Sequence, residues 1–430
     1  MTQKRLCPAP LRALAAVLAV LSSTAAPASL GPFEHGYGIP SMGMAGVAYS
    51  FARDTSALGA NPAHAGTLGS RADIGISLID PDANGEITGN AAGPDSVHLS
   101  KPVILPVPQL GTAFDLGERW SAGATFQSAG VGPEYRSNPF QRFGGGPTAR
   151  LSLGQIGLVG VLAFRPAPGH HVGASISVGY QTLAVEGLQG FTAPEGSPAN
   201  ASVAPGAVTD RGTDGAFGAN VAVGWHGRIT DWLSAGAAYR SPTWTQKHDR
   251  YRGLLPEGGR LQLPAIYGAG IALQPLSSVT IAIDLQRFVF SDQKAFGNGI
   301  ARLVDGNRLG SANGPGFGWR DVNALKIGVE WRATQRLALR AGYIDSRQPV
   351  RAGDTLFAFL GPVMSTTHYT AGASYRFGPW TVSGYWTYVP HETIRGEDSI
   401  PVQLGGGEAD VGYHAKQAGL SLGRRFGGSR

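Results

Sequence analysis

Residues 170–181 read HHVGASISVGYQ. In an extended chain Val172, Ala174, Ile176, Val178 and Tyr180 share one face, and Gly173, Ser175, Ser177 and Gly179 share the other. One face is apolar and the other is small or polar, so the two sides of this strand meet different surroundings. The same period returns at 321–331, DVNALKIGVEW, where Leu325, Ile327, Val329 and Trp331 alternate with Ala324, Lys326, Gly328 and Glu330. A soluble core would reject Lys326 and Glu330 on its inner face. A wet lumen would accept both.

Every run of this kind, marked along the chain, gives about fourteen strands. They fall at 71–80, 108–116, 119–130, 151–166, 170–184, 214–228, 231–243, 261–274, 277–290, 320–333, 335–348, 366–377, 379–390 and 411–426. Short turns such as LGER and RFGPW alternate with long Gly-, Pro- and Asn-rich segments such as 81–107, 131–150 and 185–213. Tight turns on one rim and long loops on the other are the pattern of an outer-membrane barrel. An even strand count puts both ends of the chain on the short-turn, periplasmic side. Trp120, Trp225, Trp331 and Trp380 stand beside short turns on the apolar face, as an interfacial girdle requires. Trp232 has the opposite parity.

Composition agrees. Charged residues are 15% of the chain against roughly 25% in soluble domains, and 64 of 430 residues are Gly. The first residues read as an export signal: Lys4, Arg5 and Arg12, then the apolar LAAVLAVL, then the small-residue site APA. The expected division is a signal peptide over 1–28, a plug over 29–70 and a transmembrane β-barrel over 71–430. Cys7 precedes the apolar run, so the mature chain, starting near Ser29, has no thiol. Loss of the leader lowers the formal charge from +6 to about +3, which removes the argument for a nucleic-acid partner.

No chemistry of an enzyme is legible. There is no G-x-S-x-G elbow and no H-E-x-x-H, and adjacent His170 and His171 point to opposite strand faces. FGGGPT (143–148) lacks the adjacent Lys-Ser/Thr pair of a phosphate loop, and no helix follows it. No cofactor and no metal site are expected.

Four motifs then carry a resemblance: DTSALGANPAHAG (54–66), GAAYRSPT (236–243), LPAIYGAGIALQPLSSVTIAIDLQRFVFSD (263–292) and WRDVNALKIGVEWRATQRLALRAGYIDSRQPV (319–350). Together they resemble the FadL-like long-chain fatty acid transporters of Gram-negative outer membranes. The resemblance implies an all-β fold, a transmembrane antiparallel barrel of about fourteen strands with a small helical hatch in its lumen. It places Asn61, Pro62 and Ala63 in that hatch. Asp54, Thr55 or Ser56 would cap a short helix there, and Pro62 would end it.

The implied function is passive uptake of long-chain fatty acids or aromatic hydrocarbons by loop capture, hatch movement and lateral exit. A general porin and a structural or adhesive barrel are the alternatives. The implied partners are the hydrophobic ligand, outer-membrane lipids and, during biogenesis, the barrel assembly machinery. Two departures stand out: Phe426 is followed by four more residues, and Arg424 falls in the outward series of Ala418, Leu420, Leu422 and Phe426. No substrate-binding residue can be aligned.

Overall fold

The computed structural model describes residues 30–98, 104–132, 134–135, 137–197, 199–362 and 365–426. The leader, the start near Ser29 and the tail after Phe426 lie outside them. Fourteen antiparallel strands form the wall: β1 (Arg71–Thr88), β2 (Leu105–Asp115), β3 (Trp120–Val131), β4 (Ala149–Ala167), β5 (His170–Glu186), β6 (Asp214–Arg228) and β7 (Leu233–Arg240). The circuit continues through β8 (Ala265–Leu276), β9 (Val279–Val289), β10 (Val322–Arg332), β11 (Leu337–Ser346), β12 (Thr367–Phe377), β13 (Trp380–Ile394) and β14 (Glu408–Arg425). Consecutive strands pair, and β14 returns to β1 from Arg71 opposite Arg425 to Thr88 opposite Glu408. A closed ladder leaves no strand edge in lipid.

The fourteen strands are those marked in the sequence, with differences at their ends. β1 runs on to Thr88, and β7 stops at Arg240 because Pro242 interrupts the ladder. Pairing resumes at Trp244 and Thr245, opposite Ala219 and Gly218 of β6.

The alternation sets the two faces of the wall. Ile176 and Val178 are 63% and 59% exposed on the outer face, while Ser177 between them is buried. Placing a cation there puts it in hydrocarbon, so Val178→Arg is expected to cost about 2–4 kcal/mol near the midplane. Equilibrium folding into lipid vesicles should show that loss for Val178→Arg and none for Val178→Leu. Arg424 also faces outward, but its guanidinium stacks on Trp380 (5.1 Å) and Phe426 (5.3 Å) at the short-turn rim. That cation–π stacking offsets its misfit.

The inner face departs from expectation at one level. Lys326 and Glu330 are buried, at 3% and 1% exposure, rather than bathed in water. Residues 30–69 pack against them inside the wall. This segment is a chain of single turns, Ile39–Met42, Thr55–Gly59, Pro62–His64 and Ala65–Leu68. Inward glycines let its backbone press directly on the strands. Gly111, Gly123, Gly173, Gly224, Gly328 and Gly342 all face it; a Cβ on Gly328 would stand 2.6 Å from the Met44 carbonyl, and one on Gly123 2.6 Å from a Leu58 methyl. A side chain at these positions would push the segment away from the wall.

Candidate functional site: a luminal segment, an apolar chamber and a gap in the wall

The luminal segment has no long helix to satisfy its own backbone, so the wall supplies partners. The Asp284 carboxylate of β9 accepts the N–H groups of Ala48 (2.6 Å) and Tyr49 (3.0 Å). The Asp73 carboxylate of β1 accepts the Thr55 N–H at 2.9 Å and is itself held by Arg71 at 2.5 Å. Lys326 donates to the His35 carbonyl (2.6 Å), and the Ala45 N–H donates to Thr370 (2.9 Å). Arg53 meets Glu330 (2.8 Å), which also pairs with Arg340 (2.7 Å). Hydrogen bonds of this charge-assisted kind are the strong ones, and they fix the segment at several points.

Burial disfavours the charged form of three of its own groups, Glu34, His35 and His64. Burial lowers His35 to about 4 and His64 to about 3; their Nε2–H groups donate to the Met42 and Ala48 carbonyls. Burial pushes Glu34 up to about 8 against the pull of Ser77 and Gln109, so at neutral pH it is predominantly a neutral acid.

On the long-loop side of this segment the lumen turns apolar. Inward residues Leu151 and Leu153 of β4 and Leu183 and Val185 of β5 meet Leu255, Phe296, Trp319, Phe357 and Leu360, which the long loops fold inward. Loops 131–150 and 185–213 add Phe140, Leu188, Phe191 and Val208 to the same cluster. The chamber they enclose has only about 40 Å³ of free space, room for little more than one water. Among the described residues no charged side chain lines it.

Beside the chamber the wall is incomplete. β1 and β2 stay paired as far as Ile79 opposite Leu105, and β3 and β4 as far as Val131 opposite Leu153. Between β2 and β3, however, pairing runs only from Asp115 opposite Ser121 to Gly111 opposite Thr125. Beyond that, Leu105–Leu110 and Phe126–Val131 face each other without a ladder. The sequence supplies a cause. Thr125 donates its hydroxyl to the Leu110 carbonyl, which shows that even-numbered residues of β2 aim their backbone groups at β3. Pro106 and Pro108 are the next two in that series, and neither has an N–H to give. The free Gly130 N–H of β3 instead donates to the Pro32 carbonyl of the luminal segment at 2.8 Å.

The gap opens a cavity of about 440 Å³ lined by Pro32, Phe33, Glu34, Pro106, Pro108, Ser128, Leu153 and Ile156, among others. Outward Ile156 and Tyr180 and inward Glu34 and Gln155 line the same space, so it passes through the wall. Pro32, Val131 and Leu153 line both this cavity and the chamber.

Residues 18–389 match the family described as outer membrane protein transport protein (OMPP1/FadL/TodX). The chain belongs to the FadL/TodX family. No curated protein matches the sequence significantly. Among solved structures the fold is similar to the Pseudomonas putida toluene transporter TodX, at 18% identity and a TM-score of 0.67 over 92% of this chain and 100% of that one. It is likewise similar to a Pseudomonas aeruginosa FadL homologue (16%, 0.68, 92% and 100%) and to the Ralstonia pickettii toluene transporter TbuX (18%, 0.65, 91% and 99%). This FadL/TodX barrel is therefore an outer-membrane transport protein, and its family consists of transporters rather than enzymes.

Of the residues singled out in the sequence, Asn61, Pro62 and Ala63 lie together in the luminal segment, all buried. Asn61 caps the Pro62–His64 turn by accepting the Ala63 N–H (3.0 Å) and donates to the carbonyls of Tyr49 and, on β6, Trp225, both at 2.9 Å. It thus ties the segment to itself and to the wall. Pro62 opens this turn at its first position rather than ending the one before, which stops at Gly59. Asp54 is the cap of that earlier turn, accepting the Ser56 N–H at 3.2 Å. Arg240 of the GAAYRSPT stretch points inward to Tyr37 (3.0 Å) and Gln127 (3.3 Å). Asp73, Asp284 and the gap prolines were not singled out. The alternation in ILPVPQL (104–110), with Pro at both 106 and 108, is the signal that could have found the gap.

Proposed function

We propose that the protein takes up small hydrophobic molecules passively, through the chamber and out sideways into the bilayer, with residues 30–69 as the hatch. The observation that carries this reading is the partition shared by chamber and gap. Of its three residues, Pro32 belongs to the luminal segment and is bonded to the free edge of β3. A small shift of Pro32 and Phe33 would join the two spaces. The ligand would then leave through an apolar breach, keeping the roughly 0.8 kcal/mol per CH₂ that it gains by avoiding water. A filled lumen speaks against a general porin.

The chemistry of the lining favours one substrate class. A carboxylate buried in the chamber would have no cation to meet among the described residues, and the gap beside it is lined by Glu34, itself an acid. Uncharged aromatic or aliphatic hydrocarbons suit this route better than ionised fatty acids.

Uptake of radiolabelled toluene and of a long-chain fatty acid by cells carrying the protein tests both points. Toluene should accumulate faster, and Leu153→Asp, which sets a charge in the partition, should cut its uptake by about tenfold or more. The heat-shifted gel mobility of a folded barrel serves as the fold control. Efficient entry of small sugars instead would return the protein to the porins.

A further inference from the structure

At its short-turn mouth the lumen carries a cluster of arginines. Glu330 of β10, Arg340 of β11 and Ser374 of β12 are buried on the inward face. Arg332, Arg336 and Arg376 lie at even steps from them, so they share that face. Arg425 of β14 stands opposite Arg71, whose ion pair with Asp73 marks the same inward parity on β1. Arg332, Arg336, Arg376 and Arg425 line a single recess of about 650 Å³, roofed by Arg53, Glu330 and Arg340.

Glu330 is already shared between Arg53 and Arg340. Among the described residues no carboxylate comes within ion-pair distance of the other four. Their hydrogen-bonding capacity is also largely unspent. Arg332 donates to the Ser277 carbonyl and Arg376 to the Gln335 carbonyl, while among the described residues the Arg336 and Arg425 side chains meet no acceptor. Four exposed guanidinium groups that line one recess without a paired carboxylate repel one another, and an anion placed among them relieves that repulsion while accepting their forked N–H pairs.

We propose that this recess binds a small soluble anion carrying at least two negative charges, of the phosphate or phosphate-ester class, entering from the periplasm. Phosphate matches guanidinium geometry in a bidentate way. Because the lining is inward, the site belongs to solutes rather than to headgroups of the surrounding bilayer.

The test is calorimetric titration of the full chain, in neutral detergent, with sodium pyrophosphate at matched ionic strength. One saturable event is expected, weakened about tenfold or more in the Arg336→Gln, Arg376→Gln double variant. A second double variant on an extracellular loop, Arg302→Gln with Arg308→Gln, should bind like the parent. Both variants are checked for the folded-barrel gel mobility. No saturable heat, or equal weakening in both double variants, would overturn the proposal. Displacement of pyrophosphate by micelles containing an anionic phospholipid would overturn the assignment to a soluble anion, and failure to displace it supports that assignment.

Discussion

Asp284→Ala is expected to release the middle of the luminal segment while leaving the barrel folded. In the native protein one oxygen of this carboxylate accepts both the Ala48 and the Tyr49 N–H. Alanine would leave two buried donors unsatisfied, at about 1–3 kcal/mol each, and would remove the acid that stands opposite the buried Lys326 on the neighbouring strand. The strand itself keeps its ladder bonds, because β9 pairs on both sides through backbone groups. The cost therefore falls on the segment and not on the wall. Hydrogen exchange read by mass spectrometry should show residues 44–53 losing most of their protection, and trypsin should cut after Arg53 in the variant but not in the parent. Asp284→Asn retains an acceptor oxygen and should lie between the two. Unchanged exchange in the alanine variant would mean that the glycine contacts and the Arg53–Glu330 pair hold the segment without it. The proposed hatch would then have to move by some other release.

The period of two was enough to read the wall. Residues such as Ile176, Ser177 and Val178 report their faces directly, since lipid on one side and protein on the other impose the alternation. The contents of the lumen were less legible. Lys326 and Glu330 read as residues of a wet channel because a sequence shows which face a charge occupies and not what lies opposite it. Here the partners, His35 and Arg53, lie about 290 and 280 residues away along the chain. The abundance of glycine was visible, yet its use was not. Gly328 and Gly342 stand opposite each other on β10 and β11, and their missing side chains make room for Met44 and Ala45. The chamber drew its lining from loops 131–150, 185–213 and beyond, where no periodicity assigns an inward direction. Asn61 was found through a motif, and its bond to the Trp225 carbonyl gives that motif a physical reason.

The gap between β2 and β3 yields the prediction with the most telling sign. If Pro106 and Pro108 hold the wall open by lacking donors, the double variant Pro106→Val, Pro108→Val returns two N–H groups aimed at β3. Valine suits a strand and keeps an apolar face toward lipid. The ladder that now stops at Gly111 opposite Thr125 could then extend toward Leu105, each restored bond adding about 0.5–1.5 kcal/mol. Extension would also compete with the Pro32 carbonyl for the Gly130 N–H, withdrawing the luminal segment's hold on that edge. The variant should therefore resist thermal unfolding better than the parent and yet carry toluene at a rate reduced by about tenfold or more, a trade of function for stability. Ordinary damage to a barrel lowers both quantities together, so opposite changes separate closure of the route from injury to the fold. Measured side by side in reconstituted vesicles, a stability gain with undiminished uptake would show that the ligand leaves elsewhere. In that case the cavity of about 440 Å³ would be a weakness in the wall and not an exit.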